Sequence, residues 1–226
     1  MKQREYRILI ANVWSDKNRG DLAITINTIR LLKKFFPHAK ISLCSIFGFN
    51  EIRSMMKREL PHTSRMKVEV FGGLLPTNLS KKEHEFETTQ FNTYLNSTIT
   101  KRERLVEGKH YIFTTIFGLL LLLSSWLRFL NYIRHVFPTE LRRTLEGFSS
   151  SDLVIIKGGG YLTSRGLLGL FGIFGYLYPA LFSIAIKKPY SFLGHSIWKL
   201  DNPLSRFVFK LTARRAILIT LREHSS

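Results

Sequence analysis

Residues able to bind anions precede the first helical pattern of the chain. Asn18, Gly20 and Asp21 follow an apolar run, and the first-turn N–H groups of a helix starting there can receive an anion. An N-cap role explains Asp21 as well, because its carboxylate would accept hydrogen bonds from those N–H groups. The sequence leaves both interpretations of Asp21 open.

A glycine run is the second candidate site. Leu153–Ile156 is a continuous apolar run, and Lys157 and then Gly158, Gly159 and Gly160 follow it. Glycines lack Cβ atoms, so their backbone N–H groups can approach a ligand closely. The run is neither a P-loop nor a G-x-G-x-x-G fingerprint. A tight strand–helix turn without a ligand is the competing interpretation.

Apolar runs and helical periodicity predict the elements that carry these residues. Buried strands are expected at Tyr6–Val13, Lys40–Phe47, Met66–Phe71, Leu153–Ile156, Tyr190–Leu193 and Ala216–Leu221. Helices are expected over 22–36, 51–60, 167–186 and 202–214. The alternation predicts an α/β, Rossmann-like open and mainly parallel sheet with helices on both faces. Ligands of such sheets bind at the carboxyl ends of the strands.

The domain organisation predicted is a single Rossmann-like domain over 1–226. Residues 72–110 are expected to be an irregular insertion, and 111–146 an apolar and basic helical segment. Tyr111–Leu127 carries no charge over 17 residues, just short of a spanning helix. It is compatible with a buried helix, with a helix in the membrane interface, or with a true span, which would split one sheet between two compartments.

Composition restricts the partners and the compartment. The chain has 34 basic and 16 acidic residues and a net charge of +18, which favours nucleic acid, acidic lipid or phosphorylated substrates. The basic residues are dispersed without a recognised binding module, so nucleic acid is disfavoured. The single Cys44 is expected to be buried and fits a reducing compartment. The N-terminus shows no signal peptide. We expect a cytoplasmic protein, either free or peripheral to the inner face of the membrane, with no metal site.

Four segments in one order resemble the polysaccharide pyruvyl transferase family. They are NRGDLAI at 18–24, DLVIIKGGG at 152–160, GHSIWKLDNPLSR at 194–206 and ITLREHS at 219–225. Members of the family carry an N-x-G-D-x-A-I turn, an aspartate-led strand ending in three glycines, a G-x-S-I-G-P loop and R-E-x-x-S. The resemblance implies the N-terminal half of a GT-B-like protein with two Rossmann-type domains facing across a cleft.

The chemistry that the resemblance implies is pyruvate transfer from phosphoenolpyruvate to a sugar of a cell-envelope or lipid-linked glycan, as in exopolysaccharide biosynthesis. No cofactor besides this donor is implied. Arg222 is the candidate anion clamp, because guanidinium binds carboxylate or phosphate in bidentate fashion. Glu223 would orient it or bind a hydroxyl. His195 would exchange a proton near neutral pH or donate to phosphate, with Ser196 in the same loop.

Departures from the family pattern keep alternatives open. Trp198-Lys199 replaces the usual Gly-Pro, and Thr163-Ser164-Arg165 stands where a polar pair is usual. The family's second domain is not found, so we expect a truncated member or one half of a split enzyme, with a possible separate C-terminal half as partner. The alternatives are a GT-B-like glycosyltransferase domain using a nucleotide sugar, and a non-catalytic, membrane-associated partner subunit.

Overall fold

A parallel six-stranded sheet forms the centre of the protein in a computed structural model, which describes residues 5–49, 60–66, 68–76, 101–159, 162–164 and 166–222. Its strands are β1 (Arg7–Val13), β2 (Lys40–Gly48), β3 (Glu69–Gly73), β4 (Leu153–Lys157), β6 (Tyr190–His195) and β8 (Ile219–Leu221). Two short strands, β5 (Leu162–Ser164) and β7 (Ile197–Leu200), pair in parallel as a separate sheet. The predicted α/β, mainly parallel fold is confirmed.

The order of the strands reverses at the centre of the sheet. Neighbours in the large sheet run β3-β2-β1-β4-β6-β8, and each pair is parallel. Counted in chain order, this is the 3-2-1-4-5-6 order of the Rossmann fold. The order reverses between β1 and β4, which pair from Ile8↔Leu153 to Ala11↔Ile156. A ligand is therefore expected beyond the carboxyl ends of these two strands.

Helices cover both faces of the sheet. They are α1 (Arg19–Phe35), α2 (Pro61–Arg65), α3 (Lys101–Trp126), α4 (Leu130–Ile133), α5 (Thr139–Ser150), α6 (Gly166–Ala185) and α7 (Pro203–Ala213), with a 3-10 turn at Arg134–Val136. Side chains alternate along β1, as the pleat requires. Leu9 packs in the core that contains α5 and α6, whereas Ile8 packs in the core that contains Ile29 and Leu32 of α1.

The region between β3 and β4 differs from the prediction. We expected residues 72–110 to be irregular, but α3 already begins at Lys101. Tertiary contacts fix this helix: Thr114 Oγ1 donates to the Pro76 carbonyl at 3.0 Å, and Gly118 lies against Tyr178 of α6. The first turns of α3 lack apolar periodicity, so the sequence pattern missed them. Residues 77–100 and most of the helix predicted at 51–60 lie outside the described residues.

The apolar segment Tyr111–Leu127 is packed on one side only. Leu121 is 2% exposed and belongs to the core, whereas Leu120 beside it is 61% exposed. A helix buried all round is therefore wrong for this segment. Within the described part of the chain, no helix is long and apolar enough to cross a membrane.

Cys44 is buried in β2, as predicted. Burial raises the pKa of its thiol to about 12, so the thiol stays protonated at physiological pH.

Candidate functional site

The start of α1 is capped by Asn18 and not by Asp21. Asn18 has extended backbone angles, and its Oδ1 accepts from the N–H groups of Gly20 at 3.1 Å and Asp21 at 3.2 Å. This corrects the N-cap interpretation of Asp21. Asn18 precedes the helix by one residue and reaches both N–H groups, which leaves the Asp21 carboxylate for a different contact.

That contact is an ion pair at the switch point of the sheet. Lys157 is the last residue of β4, and its Nζ lies 2.8 Å from Asp21 Oδ1. The side chains are 0% and 5% exposed. Burial lowers the pKa of Lys157, and the Asp21 charge and hydrogen bond oppose that shift. The pair thus places opposite charges side by side in the low-dielectric interior between β1 and β4.

A tyrosine of α6 connects this ion pair to His195. The Tyr176 hydroxyl donates to the Lys157 carbonyl at 2.7 Å and lies 3.4 Å from His195 Nε2. Its single proton goes to the carbonyl, so the hydroxyl oxygen is left to accept from an Nε2–H group. His195 Nδ1 is then a bare acceptor, and this buried atom has no hydrogen-bond partner in the described part of the chain.

His195 is a neutral, buried residue. It ends β6 and is 1% exposed. Burial and, to a smaller extent, the Lys157 charge together lower its pKa to about 4. The expectation of a loop histidine titrating near neutral pH is therefore wrong. A proton on this ring would be both desolvated and repelled by a neighbouring ammonium group.

Asn12 fixes the position of α6 over the end of β1. Its backbone has a positive φ of 62°, and its buried Nδ2 donates to the Tyr176 carbonyl at 2.9 Å. Left-handed conformations suit asparagine better than most residues. This bond links the helix that carries Tyr176 to the strand beside the ion pair.

The glycine run serves close backbone packing. A Cβ on Gly158 would lie 1.9 Å from the Gly194 carbonyl oxygen, while Gly194 itself has a φ of +66°. The Gly159 carbonyl accepts from the N–H of Ser196 at 3.4 Å, and Ser196 is buried. Glycine is therefore required at 158 because β4 and β6 meet there. Gly160 lies outside the described residues.

Replacing Gly158 with alanine is expected to destabilise the protein by about 3 kcal/mol, since the new methyl group would overlap backbone atoms that cannot rotate away. Urea unfolding followed by circular dichroism measures this. Gly172→Ala in α6 is the matched control, because a Cβ there meets nothing within 4 Å. Equal midpoints for both variants would contradict the close approach.

Arg222 stands at the same edge of the sheet. It follows β8, its side chain is exposed, and its N–H donates to the His195 carbonyl at 2.9 Å. The strand ends that carry His195 and Arg222 are therefore adjacent. Glu223 lies outside the described residues, so its position relative to Arg222 stays a prediction.

The structure brings together some predicted site residues and adds three that the sequence reasoning did not select. Asp21 and His195 are joined through Lys157 and Tyr176, with Asn12 behind them. The sequence did mark Lys157, because it is a lone charged residue at the end of an apolar strand. Tyr176 had none, because it is one aromatic among many in an apolar helix.

The fold and this site define a Rossmann-like α/β protein with a polar cluster at the switch point of its sheet. The family model for polysaccharide pyruvyl transferase matches residues 18–226, which is most of the chain. The chain belongs to that family. No curated protein and no solved structure matches the sequence significantly.

Proposed function

We propose that this chain binds phosphoenolpyruvate and takes part in transferring its pyruvyl group to a sugar of a cell-envelope or lipid-linked glycan. The observation that carries the proposal is that three residues far apart in the sequence of this family member lie close together in the structure. Asp21, Lys157 and His195 come from three distant family-like segments and meet at the carboxyl edge of one sheet. Ligand sites of open α/β sheets occupy that edge.

Pyruvyl transfer to a sugar requires a cationic group and a base from the protein. The methylene carbon of the donor takes a proton, one sugar hydroxyl adds to the neighbouring carbon, and a second hydroxyl displaces phosphate from it. One hydroxyl proton balances the new methyl group and the other leaves with phosphate. A cationic group must hold the donor, and a neutral base must accept a hydroxyl proton.

Arg222 is the proposed donor clamp. The Lys157 charge is already matched by Asp21 at 2.8 Å, so another cation must neutralise a carboxylate or phosphate at this edge. Arg222 is exposed there, and its guanidinium suits bidentate binding. Glu223 is proposed to orient Arg222 or bind a sugar hydroxyl. Asn18, Gly20, the glycines at 158–160 and Ser196 are proposed to line the same site.

His195 is proposed to orient a substrate hydroxyl by accepting a hydrogen bond from it at Nδ1, without taking up its proton. Its ring is neutral, and its Nδ1 has no partner among the described residues although buried acceptors usually have one. A substrate hydroxyl would supply the missing donor. We propose further that a second domain, in the same polypeptide or in a partner, contributes the opposite wall of the cleft and most contacts with the glycan.

Thermal unfolding with and without phosphoenolpyruvate tests donor binding, with sulfate at matched ionic strength as the ion control. At a ligand concentration a hundred times Kd, binding to the native state adds about 2.7 kcal/mol. For a chain of this size the midpoint rises by roughly 5–10 °C. We expect Arg222→Gln to abolish the rise.

Arg214→Gln is the matched control for Arg222→Gln. Arg214 is also exposed, but it caps the C-terminus of α7, ahead of β8 and thus at the opposite edge of the sheet. It should keep the full shift. A cooperative transition that phosphoenolpyruvate leaves unchanged would contradict donor binding by this chain. A shift produced by a nucleotide diphosphate and not by phosphoenolpyruvate would instead favour the glycosyltransferase alternative.

A further inference from the structure

One side of α3 is a continuous apolar surface. We call it the α3 face; its residues are each more than half exposed and recur every three or four positions: Ile112, Phe113, Ile116, Leu119, Leu120, Leu123, Trp126 and Leu127. At 1.5 Å per residue the face is about 22 Å long. Beyond it, Phe129, Tyr132 and Val136 are also exposed. A run of this extent on a monomer marks an interaction surface.

The charged residues from position 109 to position 139, which contain the α3 face, are all basic. Lys109, Arg128 and Arg134 are exposed, and the sequence holds no Asp or Glu from residue 110 to residue 139. The whole chain carries a net charge of +18. A partner that covers this surface must therefore be apolar at its centre and anionic around it.

A small cleft of about 70 Å³ beside the α3 face suits an anionic headgroup. It is lined by two basic residues, one acidic residue and three others: Arg134, Arg142, Glu146, Leu130, Leu145 and Ser149. Arg142 Nε is buried there and has no hydrogen-bond partner within the described part of the chain. The two arginines outnumber the one carboxylate of Glu146, so a phosphate group could still bind there and accept a hydrogen bond from that nitrogen.

We propose that the α3 face docks on an anionic phospholipid bilayer, with α3 lying in the plane of the interface. An anionic bilayer combines an apolar interior with negatively charged headgroups, which matches both the leucine-rich face and its basic border. Trp126 and Tyr132 are the amphipathic aromatics that favour the headgroup level. A second copy of the chain would bring the same basic border against itself, which costs energy. The inference rests on this surface alone and is independent of the proposed enzymatic activity.

Vesicle flotation tests the proposal, using phosphatidylcholine with phosphatidylglycerol against phosphatidylcholine alone. The protein should float only with the anionic vesicles, and less at high salt. Leu120→Gln/Leu123→Gln/Trp126→Gln removes the centre of the face and should weaken binding at least about tenfold. Arg128→Gln/Arg134→Gln removes two border charges and should weaken it about 30-fold.

Leu31→Gln/Phe35→Gln is the matched control, since these exposed residues lie on α1, across the sheet from α3. It should float like the wild type, and circular dichroism should show that every variant is folded. Failure of the wild type to float with anionic vesicles would overturn the proposal, as would equal flotation of the triple variant. A wild-type dimer that the triple variant converts to monomer would assign the face to self-association instead.

Discussion

Replacing Lys157 with methionine is expected to lower the free energy of unfolding by about 3–5 kcal/mol. The substitution keeps the length of the side chain but leaves the Asp21 carboxylate 5% exposed and without its ammonium partner at 2.8 Å. An uncompensated buried charge is far more costly than the pair itself is stabilising. Urea unfolding at neutral pH, with m-values compared, measures the loss.

The companion double variant, Lys157→Met/Asp21→Leu, removes both charges and should recover most of the loss. The exposed pair of Lys199 and Asp201, at 3.3 Å, is the control. Lys199→Met there should change stability by less than about 1 kcal/mol. If the Lys157 single variant behaved like the Lys199 variant, the buried ion pair at the switch point would be ruled out.

Stability should fall steeply as the pH drops from about 6.5 to 4, because of His195. The unfolded chain takes up a proton on this ring near 6.5, whereas the folded protein does so only near its pKa of about 4. Between these values the unfolded state binds more protons, so the free energy of unfolding rises with pH. The contribution is complete above about pH 6.5, and about 3 kcal/mol is lost by pH 4.

His195→Gln isolates this contribution, because glutamine does not titrate and its amide N–H can still reach the Tyr176 hydroxyl that lies 3.4 Å from Nε2. The unfolding free energy of the wild type minus that of the variant, measured by urea titration from pH 4 to 7.5, should fall by about 3 kcal/mol as the pH drops to 4. Carboxylates common to both proteins cancel in that difference. A difference independent of pH would mean that His195 is not held neutral by its surroundings.

The central strands were the most predictable part of the fold. The starts of β1, β2, β4 and β6 fall within one residue of the positions expected from apolar runs, because strands covered on both faces need unbroken apolar sequence. Pairs such as β5 and β7 were not foreseen. Strands of three or four residues are too short for a pattern.

The site could be predicted only for residues that their own position in the sequence pattern singles out. Strand-end position pointed to Asp21, Gly158 and His195. Which residues contact one another was not accessible to sequence patterns. Lys157 lies 136 residues from Asp21, and the Tyr176 hydroxyl contacts the backbone carbonyl of Lys157. The protonation state of His195 follows from burial among those partners, so it could not be inferred before the partners were known.

The central place of β1 in the sheet has a consequence for biosynthesis. One edge of β1 pairs with β2 soon after both emerge, but the other edge waits for β4, whose first residue is 140 positions beyond Val13. At usual translation rates of 5–20 residues per second, that delay is roughly 7–30 s. During this time a strand rich in Ile and Leu presents unpaired N–H and C=O groups, which favours wrong pairing. We therefore expect the nascent chain to depend on chaperones until β4 has left the ribosome.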